Sequence, residues 1–298
     1  MQFVPKAKRG KPKKKKHRCV QRRNYSIVKL LRAHNPWVGL KLIIDSPRSF
    51  EGRNSMIRIR NDVVFQDPQK RIREYCSIEI YHGYDDRHVV NNILSKEDIN
   101  AANNLYAMID RYDNNESKRL LNRSERISHL LSIVPDRGIY TISNKEWSKL
   151  VENIRKLLAE FLSIRGFGLA KGTKILHLKR PSLFPVLDSF VVKFLLHVNL
   201  SETEKSRQVN VGLQAIEKAR KIMADQKKEF EELAEQLRDL PIPLTPVRIF
   251  DILCWTAEKW DIRGIRKAPY GTPHRSLLKQ FKNRETFKSD YGKSNEKR

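Results

Sequence analysis

Cysteine is nearly missing from this 298-residue chain, and the three present, Cys19, Cys76 and Cys254, stand far apart. That spacing excludes a disulfide scaffold, a zinc ribbon and a four-cysteine iron–sulfur loop, and it predicts free thiols in a reducing compartment. His177 and His197 have no cysteine or carboxylate at ligand spacing, so neither a metal nor a cofactor is expected. Long apolar runs are missing too. None approaches the eighteen residues of a membrane span, and no apolar block follows the basic start as it would in a secretory signal. The expectation is a soluble protein, not secreted and without a membrane partner. Its place would be the cytoplasm or nucleoid of a prokaryote, or the nucleus of a eukaryote. Acidic residues are the third shortage: 34 stand against 60 lysines and arginines, for a net charge of +26.

What is present is a hydrophobic fraction of 39%, enough for a core. The positive charge is concentrated at the two ends. Residues 6–23 hold eleven Lys or Arg and no acid, and residues 262–298 hold eleven against three acids. Tails of this kind contact phosphate backbones by releasing counterions, without reading sequence. The alternative is a solubilising or localising role. Because the stretch between the tails is mildly basic as well, a polyanion is the preferred partner: duplex DNA first, RNA as a weaker option.

Periodicity divides the chain into four parts. Residues 1–23 read as a basic arm without structure of its own. Residues 24–92 read as a small α/β preface, because LKLII (40–44), MIRIR (56–60) and CSIEIY (76–81) are strand-like. Residues 93–260 read as a helical domain, and 261–298 as a second basic tail. Within the helical part, SKED (95–98) and SNKE (143–146) have the spacing of capping boxes. Ile99, Ala102, Tyr106 and Ile109 follow the first box at helical intervals. Trp147, Leu150, Val151, Ile154, Leu157, Leu158 and Phe161 make an amphipathic stripe after the second. Ile127, Leu130, Leu131 and Val134 mark a helix stopped by Pro135. One long charged helix is expected near 203–238. Thr245 and Pro246 supply the cap and first residue of a last helix. Asp85-Asp86-Arg87-His88 reads as a polar loop, since one acidic pair has no second half for a nuclease site.

The chemistry concentrates in IRGFGLAKGTKILHLKRPSLFPVLDSFVVKFLL (164–196). Gly166 and Gly168 end one helical pattern just before another resumes, which makes a helix, a glycine turn and a helix. Free amides and the positive end of the second helix can seat a phosphate there. A helix C-cap accounts for the glycines equally well. Asp188, opening the next helix, reads either as an N-cap or as a catalytic carboxylate.

The segment resembles the helix-hairpin-helix and Gly/Pro-Asp signature of the HhH-GPD superfamily of DNA glycosylases. Ile164, Gly166, Phe167, Gly168 and Gly172 fall on hairpin positions, and Pro185, Val186 and Asp188 on the loop. KRPSLFPVLD together with PVRIFDILCW is similar to an uncharacterised family of HhH-GPD-like proteins without an assigned activity. The resemblance covers about 33 residues. It implies a mainly α, two-lobed helical bundle that binds DNA and hydrolyses an N-glycosidic bond to a damaged or mismatched base. Asp188 would stabilise the oxocarbenium ion or activate water. Gly166, Phe167, Gly168, Lys171, Lys174, Lys179 and Arg180 would contact DNA. Phe184, Phe190 and Trp255 are candidates for the base pocket, whereas Trp147 reads as core. Ala170 occupies the position of the superfamily's Schiff-base lysine, which implies hydrolysis without lyase chemistry. The alternative is a non-catalytic helix-hairpin-helix module that binds DNA.

Overall fold

A computed structural model describes residues 42–44, 56–78, 82–87 and 91–264, all within one unit. The arm 1–23, the tail from 265, residues 79–81 of CSIEIY and His88 lie outside the described residues. The fold is mainly helical with a small sheet near the N-terminus, as the periodicity predicts. Strand β1 (Leu42–Ile44) pairs in parallel with β3 (Val63–Phe65), which pairs antiparallel with β2 (Ile57–Arg60). In β2 the period-two pattern acts as expected, burying Ile57 and Ile59 and exposing Arg58. CSIEIY does not begin a strand. Cys76 instead closes helix α1 (Pro68–Cys76), which Asp67 caps by accepting from Lys70 N at 2.9 Å.

A short helix α2 (His82–Asp85) leads to α3 (Lys96–Asn104), where Ser95 and Asp98 form the expected box. The helical pattern running on to Ile109 is interrupted. Asn103 bonds both the N–H and the C=O of Ile109, and Tyr106, Met108 and Asp110 take positive φ. The turn so formed holds Tyr106 off the helix. Two helices follow, α4 (Glu116–Leu121) and α5 (Ser124–Ser132), the latter ending before Pro135, with Arg180 bonding the carbonyls of Leu131 in its last turn and of Val134 beyond it. Helix α6 (Asn144–Ser163) starts at the Ser143–Glu146 box and buries the predicted stripe, Trp147 included, except for Val151, which is half-buried.

Next come α7 (Leu169–Lys179) and α8 (Ser189–Leu196). The single long helix expected near 203–238 is two, α9 (Lys205–Asp225) and α10 (Lys227–Gln236). They part at Gln226, whose carboxamide accepts from Arg58 N at 2.7 Å and donates to Arg58 O, pairing with the free edge of β2 as a strand would. Thr245 caps α11 (Pro246–Thr256), with Pro246 first in the helix, and a π-helical turn, Ala257–Ile262, continues it. The segment set apart as a preface shares the helices' core: Ile57, Phe65, Ile72 and Tyr84 pack in one cluster with Leu176, Phe250 and Leu253.

Candidate functional site

Helices α6 and α7 form a hairpin whose turn depends on one glycine. Gly166 has φ +88°, and a Cβ there would overlap the buried Glu116 carboxylate. Glu116 in turn accepts from Asp110 N at 3.1 Å and pairs with Lys171 Nζ at 2.6 Å. Gly166→Ala is therefore expected to cost about 2–3 kcal/mol, from left-handed strain plus displacement of the carboxylate, read as a fall in melting temperature. Gly168, extended, starts α7, and the first amide of that helix, Leu169 N, is held by Gln208 at 3.0 Å.

Helix α7 runs through the middle of the molecule and is buried from Gly172 to Lys179. That position corrects most of the expected DNA contacts. Lys171 holds Glu116. Lys179 is 1% exposed and pairs with the equally buried Asp98 at 2.6 Å. Arg180, 5% exposed, donates to the carbonyls of Val134, Leu131 and Lys179 and to Asn92. Phe167 is buried against Phe161 rather than presented to a ligand. Phe184, fully buried, does not line the cleft described below. These side chains build the scaffold of the site.

The loop from 184 to 188 is pinned at Phe184, Val186 and Leu187. His177 Nδ1 donates to Phe184 O at 2.7 Å, Val186 N to Asp251 at 2.9 Å, and Leu187 N to Thr173 Oγ1 at 3.0 Å. The pinning delivers Asp188 to the head of α8, where Oδ1 accepts from Phe190 N at 2.9 Å and Val191 N at 3.0 Å. Both readings of this residue therefore coexist. One oxygen caps the helix, while Oδ2 bonds to no described residue, and Asp188 lines an open cleft of about 390 Å³.

Gly168, Leu169 and Ala170 line the same cleft, so the hairpin turn and the carboxylate share one concavity. Tyr106, Phe190 and Trp255 supply aromatic wall, with Phe190 edge-on to Trp255 at 6.1 Å between centroids. One face of α11 adds Arg248, Asp251, Ile252 and Trp255 at helical spacing. Lys174, expected at a phosphate, is turned inward instead. It is 6% exposed and lines the cleft one turn beyond Ala170. Its Nζ donates to Tyr106 O at 3.2 Å. Burial brings its ammonium down to about 8, while the nearby charge of Asp188 opposes that shift.

Two features escaped sequence reasoning. Arg248 is a buried hub. It bonds both oxygens of Asp85 at 2.6 and 3.1 Å, Asp251 at 2.6 Å and the Tyr75 hydroxyl at 2.6 Å. Asp85, read as part of a polar loop, is thus 4% exposed within an ion network. Burial raises Asp251 to about 7, against the pull of Arg248. The second feature is Lys259 on the π-helical turn, 1% exposed, with no hydrogen-bond partner for Nζ among the described residues. The apolar pattern of PVRIFDILCW (246–255) signals burial of one helix face; nothing local signals that the charge of Arg248 is buried with it.

Among the described residues, no three His, Cys, Asp or Glu side chains gather in a way that could hold a metal ion. No helix among them is long and apolar enough to cross a membrane. The model of one protein family, described as a family of unknown function (DUF6308), matches residues 61–258. No curated protein and no solved structure matches the chain.

Proposed function

The chain belongs to this family of unknown function, and we propose that it is a monofunctional DNA N-glycosylase. It would hydrolyse the bond between deoxyribose and a damaged or mismatched base turned out of the duplex. The observation that supports the reading is the shared cleft: a partly exposed carboxylate, one oxygen of which bonds to no described residue, lines the same concavity as the start of the glycine-turn hairpin's second helix and the aromatic rings. Its volume falls within the range of about 300–1,000 Å³ usual for small-molecule sites. Breaking an N-glycosidic bond places positive charge on the sugar, and a fixed carboxylate lowers the energy of that charge or orients water toward it. Phe190, Trp255 and Tyr106 offer faces on which an unstacked base can lie.

Because the hairpin lysines are engaged within the fold, phosphate contact falls to exposed cations at the turn. Arg165 is exposed there, and Lys205 Nζ holds Ile164 O at 2.8 Å beside it. The basic ends of the sequence add charge without sequence preference. Arg165→Ala is expected to weaken duplex binding equally across sequences. It should also reduce the slope of log affinity against log salt by about 0.9. An unchanged slope would remove Arg165 from the interface.

The test of the function is release of free base, with alkali-labile abasic sites, from duplexes bearing a broad set of lesions. Expected is lesion-dependent release by the wild type that is lost in Asp188→Asn while duplex binding persists. Tight duplex binding without release from any lesion would sink the enzyme reading and leave the non-catalytic DNA-binding module.

A further inference from the structure

The aromatic wall of the cleft already carries cations. Lys259 Nζ stands 4.3 Å from the Trp255 ring centroid and 5.9 Å from that of Phe190. The Arg263 guanidinium lies 4.9 Å from Phe190, and that of Arg248 lies 5.4 Å from Tyr75. Two of these charges are neutralised, Arg263 by Glu258 at 2.9 Å and Arg248 by Asp85 and Asp251. Lys259 is not. It is 1% exposed, and no described residue accepts from its Nζ. On the open side, Lys174 spends one N–H on Tyr106 O and keeps two donors spare at the cleft. Burial holds both ammonium groups down to about 8, and for both the charge of Asp188 works against that shift.

A buried ammonium without a partner destabilises the fold unless something arrives to pair with it. The ring faces point the same way. An aromatic face attracts a cation through its quadrupole, but a face that already carries an ammonium repels a second one. A base made cationic by N-alkylation would therefore meet occupied rings and two ammonium charges. A deaminated or oxidised base of lactam type meets the reverse. When its C1′–N bond breaks heterolytically, the electron pair leaves on the base, which departs as an anion. Water then gives hydroxide to C1′, and its remaining proton returns the base to neutrality.

Building on the glycosylase reading, we propose that the cleft selects DNA bases that leave as anions, the deaminated and oxidised lactam class, and rejects N-alkylated cationic bases. Lys174 contacts the departing base through its spare donors. Lys259, packed on the Trp255 and Phe190 rings and not itself among the lining residues of the cleft, is a positioning residue that acts by its field.

The experiment is single-turnover excision from duplexes carrying uracil, hypoxanthine or 8-oxoguanine on one side, and 7-methylguanine or 3-methyladenine on the other. Full-length wild type and Lys259→Met are compared. Methionine fills a similar volume and removes the charge, so the variant is expected to fold and to melt higher than the wild type. The wild type should release at least one base of the first class and neither of the second. In Lys259→Met, release of that base should fall about 10- to 100-fold, the scale of losing one charge in a site of low effective dielectric, and discrimination between the classes should narrow. Preference for a methylated base, or an unchanged ratio between classes in Lys259→Met, overturns the selection. Release of no base from either set while another lesion of the broad panel is excised overturns this inference alone; release from no lesion at all overturns the glycosylase reading and this inference with it.

Discussion

Replacing Asp188 by asparagine should slow base excision about a thousandfold while leaving the helix it caps in place. Asparagine keeps a side-chain oxygen where Oδ1 accepts from Phe190 N and Val191 N, and it caps helices about as well as aspartate does. What it loses is the charge. A carboxylate about 4 Å from the developing sugar cation contributes roughly 4 kcal/mol at an effective dielectric near 20, which corresponds to about a thousandfold in rate. Asp188→Ala adds the lost cap, about 1 kcal/mol of stability, so the alanine variant should melt lower than the asparagine variant at equally low activity. Asp188 also lends its field to Lys174 and Lys259. In Asp188→Asn both ammonium groups should lose their protons at lower pH, which NMR of the lysine side chains can read. Wild-type excision by a well-folded Asp188→Asn protein would reduce this carboxylate to a cap.

What the sequence made legible was local. Ser95, Ser143, Asp188 and Thr245 announce helix starts, because a cap bonds amides two or three residues ahead and needs nothing distant. The stripe of α6 is legible for the same reason, and the hairpin-to-aspartate segment does fold around one cleft. The charges were not legible. Lys179 and Arg180 look like surface cations beside a turn, yet their partners, Asp98, Asn91, Asn92, Leu131 and Val134, lie 46 to 88 residues away for each hydrogen bond that spans the chain. They are buried because α7 is enclosed from Gly172 to its end, and no periodicity in α7 itself declares that. The break between α9 and α10 has no glycine or proline to mark it. It exists because Gln226 leaves the helix to pair with β2, 168 residues earlier. Tyr106 reaches the cleft only because Asn103 closes a left-handed turn that helical spacing ran straight through.

The Arg248 hub is the clearest case of a long-range arrangement that bears on both stability and the site. Arg248→Met should destabilise the protein by about 3–5 kcal/mol, because it strands Asp85 and Asp251, 4% and 1% exposed, without a cation. The fall in melting temperature should be roughly 10 °C for a domain of this size. The loss should depend on pH, in a direction set by Asp251. Burial already raises that carboxyl to about 7, while Arg248 pulls it down. A carboxyl raised in the folded state destabilises the fold when ionised. Its cost is absent below the ordinary carboxylate range and grows as pH rises toward the folded value. Without Arg248 the folded value climbs further, so the cost keeps growing at higher pH. Arg248→Met should therefore recover on acidification from pH 8 to 5 more than the wild type does. Asp251→Asn in that background should flatten the profile. A pH-independent melting difference would show that the hub is held by packing rather than charge. The same change reaches the chemistry, because Asp251 Oδ2 accepts from Val186 N and fixes the loop that delivers Asp188. Even at temperatures where Arg248→Met is folded, excision should fall more than duplex binding, since a carboxylate displaced by about 1 Å costs up to a hundredfold in rate.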